Sequence, residues 1–130
     1  MNRYWDTLLE EQRRGLTVIV DKSWEDIPLA DLFDTSIDPD TGKPYFDVEE
    51  MAEKIDRGDL DYFMLRVRIL HRGHELGSSI VGGFLYEDAR EVLTDGTAED
   101  LIWEAMQEAD REIPQLIQDL LKIQVDNHVA

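Results

Sequence analysis

Residues 62–86 read Tyr-Phe-Met-Leu-Arg-Val-Arg-Ile-Leu-His-Arg-Gly-His-Glu-Leu-Gly-Ser-Ser-Ile-Val-Gly-Gly-Phe-Leu-Tyr, and this stretch decides the fold. It is rich in β-branched and aromatic residues and divides at Arg72-Gly73 into the two strands of a hairpin. With Arg72-Gly73 as a two-residue loop, His71 pairs with His74, Ile69 with Leu76, Val67 with Ser78 and Leu65 with Ile80. That register puts Leu65, Val67, Ile69, Leu76 and Ile80 on one face and Arg66, Arg68, Gly77 and Ser79 on the other. A greasy face backed by an arginine face predicts a sheet covered by helices on one side only.

Upstream, Asn2 is placed to cap a first helix running to about Arg14, with Trp5, Leu8, Leu9 and Gln12 on one side and Gly15 ending it. Leu16–Val20 is a short β-branched run, a candidate third strand. Ser23-Trp24-Glu25-Asp26 has the shape of a capping box, and Pro28 suits the first turn of a short helix through about Phe33. Asp34–Pro44 is dense in turn formers and reads as a loop. A helix from Asp47 to about Arg57 follows, apolar at Val48, Met51, Ala52 and Ile55 and stopped by Gly58.

Downstream, Asp95-Gly96 is a turn and Thr97–Asp100 a second variant capping box. The long helix it opens carries Ile102, Ala105, Met106, Ala109, Ile113, Leu116, Ile117 and Leu120 in one stripe. Pro114 lies inside that stripe and is expected to kink the helix or split it in two. No repeat or linker interrupts the pattern. The expectation is one α+β domain over residues 1–130, a small antiparallel sheet packed on one face by helices.

Charge is the loudest functional signal. Thirty acids against thirteen bases give a net charge of −17 in a chain whose apolar share, 42%, is ordinary for a folding domain. Such a chain repels nucleic acid, anionic membranes and, at long range, copies of itself, and it favours basic surfaces. The acids are 17 Asp and 13 Glu and the bases 9 Arg and only 4 Lys, a composition that also suits a saline habitat without any functional role. The absence of cysteine excludes disulfides and thiolate metal sites. Met-Asn-Arg-Tyr-Trp-Asp has no signal-peptide core, and no apolar run reaches membrane length, so the expected location is cytoplasmic.

Specific chemistry is harder to find. Asp38, Asp40 and Glu49 fall at the first, third and twelfth places of a calcium loop, but the fifth place is Gly42 and the sixth Lys43, which breaks the pattern. The loop reads as a turn with solvated acids. His71, His74 and Glu75 sit together at the hairpin tip but lack a third and fourth fixed ligand for zinc. Gly77-Ser78-Ser79 and Gly82-Gly83 match neither a nucleophile elbow nor a phosphate loop; they mark a bulge or a close helix approach. No catalytic residue, metal or cofactor is expected. Arg66, Arg68 and Arg72 either pair with neighbouring acids such as Glu75 or form a secondary partner surface.

The acidic row on the long helix carries the functional expectation. Asp100, Glu104, Glu108 and Glu112 recur at four-residue spacing, away from the apolar stripe. Like charges so placed cost about 0.2–0.5 kcal/mol per pair, about 1 kcal/mol for three pairs. The row has one charge per roughly 6 Å of helix, against one phosphate per roughly 3.4 Å along a DNA strand. Imitation of nucleic acid therefore needs further acids, such as Glu49, Glu53 and Asp56, or Asp31, Asp34, Asp38 and Asp40, or a second copy.

In size and charge the chain resembles the small acidic inhibitors that phages and plasmids use against DNA-binding defence enzymes, and equally the acidic immunity proteins that neutralise basic toxins. The resemblance rests on no shared motif. It implies a non-enzymatic protein that occupies a basic, nucleic-acid-binding surface of another protein, binding no nucleic acid directly. The alternative is an accessory or assembly domain of a salt-adapted organism, which would use its sheet face or the Trp103 side for homo- or hetero-assembly, including a homodimer.

Overall fold

The hairpin forms as expected, within a sheet that is larger than expected. The computed structural model describes residues 3–129. Four strands, β1 (Asp6–Arg13), β2 (Leu16–Trp24), β3 (Asp61–His71) and β4 (His74–Tyr86), form an antiparallel sheet in the order β1-β2-β3-β4. Helices α1 (Leu29–Leu32) and α2 (Val48–Asp56) lie between β2 and β3; a 3₁₀ turn (Ala89–Leu93) and the long α3 (Thr97–Val129) follow β4. The fold is α+β, and no helix among the described residues is long and apolar enough to cross a membrane.

The expected first helix is instead β1; its proposed cap, Asn2, lies outside the described residues. Two features explain the exchange. Arg14 and Gly15 both have positive φ, 51° and 80°, and repeat the turn at Arg72 and Gly73, 50° and 79°. Both are two-residue hairpin loops whose twist matches the strands. In addition, a bulge lies between Thr7 and Leu9, so Leu8 and Leu9 both pack against the core. An adjacent apolar pair looks helical in sequence, and here a bulge buries it from a strand. The candidate strand Leu16–Val20 is real and continues through Trp24, so Ser23 and Trp24 cap no helix. The cap of the short α1 is Pro28, which offers no side-chain acceptor.

Two further bulges reset the β3–β4 register. His71 pairs with His74 as expected, but Leu76 is extra, so Ile69 faces Gly77, Val67 faces Ser79 and Leu65 faces Val81. Leu76 stays buried, whereas Ile80 moves to the opposite face with Arg66 and is 58% exposed. Gly77 and Ser79 correspondingly join the covered face, contrary to the simple alternation. The second bulge sets Met64 against Gly82 and Gly83, and Gly83 has φ 84°. Each glycine there has a reason. A Cβ on Gly77 would stand 2.2 Å from the Ala105 carbonyl of α3, and one on Gly82 would stand 2.1 Å from Glu25 Oε2. Glu25 is buried and accepts from the Gly83 amide at 2.9 Å, which locks the bulge to the segment after β2.

The core lies between the sheet and the N-terminal part of α3. Val18, Val20, Phe63, Leu65, Val67 and Ile69 meet Val92, Ala98, Ile102, Ala105, Met106 and Ala109. The small residues at 105 and 109 let the helix backbone touch β4 at Gly77. Arg13 closes the far side by a bidentate pair with Glu99 at 2.6 and 3.0 Å, tying β1 to α3. Helix α3 is continuous through Pro114, so the proline does not split it. Helix α2 starts at its Asp47 cap, which accepts from the Glu50 amide, and its apolar side is only half covered.

Candidate partner-binding surfaces

The acidic row stands on the best-anchored part of the molecule. Asp100, Glu104, Glu108 and Glu112 are exposed, on turns of α3 whose inner side buries Leu101, Ala105 and Ala109. The flank they occupy runs beside β4, the last strand of the sheet. Ser79 Oγ donates to Glu104 Oε2 at 3.0 Å, and the Ser78 amide donates to Glu108 Oε2 at 3.4 Å. These two carboxylates are thus oriented by the sheet and also cover part of its edge, where unpaired amides otherwise invite another strand. Among the described residues none of the four acids has a basic nitrogen within 4.0 Å.

Glu49, Glu53 and Asp56 are exposed on α2 and, among the described residues, also without ion pairs; Glu50 pairs with Lys54 at 3.3 Å. Helix α2 packs chiefly against α1, whereas α3 packs chiefly against β4 and β3. The seven acids therefore stand on two helices that pack on different parts of the fold. In the loop before α2, the Asp40 amide donates to the Asp38 carboxylate at 2.8 Å, and Ile37 bridges Pro44. Among the described residues no cluster of His, Asp and Glu has metal-binding geometry.

The arginines of the hairpin separate into two situations. Arg66 and Arg68 converge on Asp21 Oδ2 at 2.6 and 3.2 Å, while Thr7 Oγ1 donates to Oδ1 at 3.1 Å. Asp21 is 1% exposed, directly opposite Arg66 in the β2–β3 ladder, and the Arg66 guanidinium stacks 4.1 Å from the centre of the Trp5 ring. The pairing acid is Asp21, which becomes recognisable once β2 is carried past Val20. Two guanidiniums share one carboxylate, and the Nε atoms of both are buried without a partner. This cluster holds the uncovered face together. Arg72 is different: it is exposed at the hairpin tip beside His71 and His74.

Trp103 is 65% exposed and borders a hollow of about 640 Å³ with Arg13, Arg14 and Asp110. Proton affinities are displaced mainly at joints of the fold. The Arg13 hydrogen bonds hold Glu99 below its ordinary value, and the hydroxyl of Tyr86 does the same for Asp95 ahead of α3.

No protein-family model matches this chain, and searches of curated proteins and of solved structures likewise find no match.

Proposed function

We propose that the protein is a non-enzymatic binding protein whose acidic α3 flank takes up a basic surface of another protein, one that otherwise holds nucleic acid. The observation that carries this reading is the row Asp100, Glu104, Glu108 and Glu112: exposed, without an ion pair among the described residues and mounted on a helix whose inner face is buried. A row of like charges works against stability. A basic partner would convert that repulsion into attraction. Because β4 already orients Glu104 and Glu108, less side-chain freedom is lost on binding. Charge of this sign also speeds encounter with basic partners and discourages acidic ones.

The test is a binding measurement against a panel of basic nucleic-acid-binding proteins, with and without their DNA or RNA. Binding should compete with the nucleic acid and weaken steeply as salt rises. The triple variant Asp100→Lys/Glu104→Lys/Glu108→Lys should abolish it while the circular dichroism spectrum is unchanged. Affinity that is flat across salt, or unaffected by this variant, would sink the reading.

A further inference from the structure

The apolar stripe of α3 does not stop where the sheet stops. The helix starts at Tyr86, whose hydroxyl meets Thr97 Oγ1 at 3.1 Å, crosses Gly77 at Ala105 and reaches the hairpin tip at Ile113 and Leu116. Beyond Leu116 every described side chain is exposed. Ile117, Leu120, Leu121, Ile123 and Val125 are 50–57% exposed on an overhang about 20 Å long. Where the overhang leaves the sheet, a groove of about 460 Å³ opens between Leu76 and Ile113, Leu116, Ile117 and Leu120, with His71, Arg72 and His74 along its lip.

We infer that this overhang is the seam of a two-fold dimer, in which the α3 overhang of a second copy lies antiparallel in the groove of the first. Three observations select that occupant. First, the stripe is self-complementary. Met106, Ala109, Ile113, Leu116, Leu120 and Ile123 recur at alternating spacings of three and four, a heptad seam continuous with the core. Run antiparallel about Gln118, Ile113 meets Ile123 of the second copy and Leu116 meets Leu120, and each contact occurs twice. Second, the charge that makes copies repel falls away here. Residues 97–112 hold six acids (Glu99, Asp100, Glu104, Glu108, Asp110, Glu112) against Arg111, whereas 113–129 hold Asp119 and Asp126 against Lys122. Third, the same alignment sets Asp119 of the second copy level with Ile117, on the stretch of α3 whose groove has the Arg72 cation on its lip. A basic partner would meet that lip unfavourably.

The prediction is separable from the acidic-flank reading because salt acts on it with the opposite sign. Screening relieves repulsion between two −17 chains and leaves the apolar seam intact. Sedimentation equilibrium of the full chain should give a mass of twice 15.1 kDa at high concentration, with tighter association as salt rises. Leu120→Asp/Ile123→Asp removes two exposed anchors and should weaken association at least about tenfold with no change in the monomer's spectrum. Since the chain has no cysteine, register can be read by oxidising a mixture of Leu116→Cys and Leu120→Cys chains, which should yield mainly the mixed cross-link. A single-chain mass at every concentration in high salt overturns the proposal. So does a dimer indifferent to the double variant, a mass that grows without limit, or cross-links between like variants only.

Discussion

Helix α3 is two helices in physical terms, joined near Ile113. Its first half is acidic outside, buried inside and pinned at Gly77, at Glu99 by Arg13 and at Thr97 by Tyr86. Its second half carries comparable apolar side chains, has few charges and lies beyond the sheet. The same three-and-four apolar spacing thus does different work in each half. Over β3 and β4 it makes the core; beyond the hairpin tip it makes an uncovered seam. Whether such residues stabilise the monomer depends on what faces them, which helical period does not specify.

The largest expected break in this comparison is at Gly77. In Gly77→Val the new side chain meets the Ala105 carbonyl and the Ala109 amide, both backbone, so α3 must lift from β4. Chemical denaturation should show a loss of about 3 kcal/mol or more. Next comes a matched truncation in each half. Ile102→Ala, at a position 2% exposed, should cost about 3 kcal/mol. Leu120→Ala, at one 55% exposed, should stay within about 0.5 kcal/mol when measured at monomer concentrations. Equal costs would mean that the overhang is packed within a single copy.

A smaller effect tests the acidic row. Glu112→Lys replaces the repulsion from Glu108 with an i,i+4 pair of favourable order and should raise stability by about 0.5 kcal/mol in low salt, the gain fading as salt is added. The smallest concerns Arg13. Glu99 is held below its ordinary carboxylate value by the Arg13 hydrogen bonds, so this pair contributes stability above the unfolded value and loses it as pH falls through the folded one. Both partners are partly exposed, with side-chain accessibilities of 32% and 55%, so about 0.5 kcal/mol is the expected scale. The melting temperature of Arg13→Gln should lie below that of the parent near neutrality and converge with it in acid.

The comparison also indicates what was legible in the sequence. The hairpin, helix α2, the Asp95-Gly96 turn and the long apolar stripe all follow from local patterns. The two Arg-Gly turns were equal signals, yet only Arg72-Gly73 reads plainly, because the even alternation of Leu65-Arg66-Val67-Arg68-Ile69 leads into it. Arg14-Gly15 follows a strand whose bulge sets Leu8 and Leu9 side by side, which imitates a helix. The candidate acids were visible as a spacing on α3. Their anchoring by Ser78 and Ser79, and the absorption of Arg66 and Arg68 by Asp21, depend on pairings between distant segments.

By itself the sequence determined the α+β class, the acidity and its concentration before Ile113, and the continuity of the apolar stripe, since each is a property of neighbouring residues along one element. Only the tertiary structure decided the fourth strand, the slipped register that exposes Ile80 and buries Gly77 against α3, and the point at which the stripe loses its cover. The physical reason is that strand pairing and burial are relations between segments. A bulge of one residue reverses which side chains face the core, and the hairpin tip ends the sheet while the helix, held by its own hydrogen bonds, continues past it.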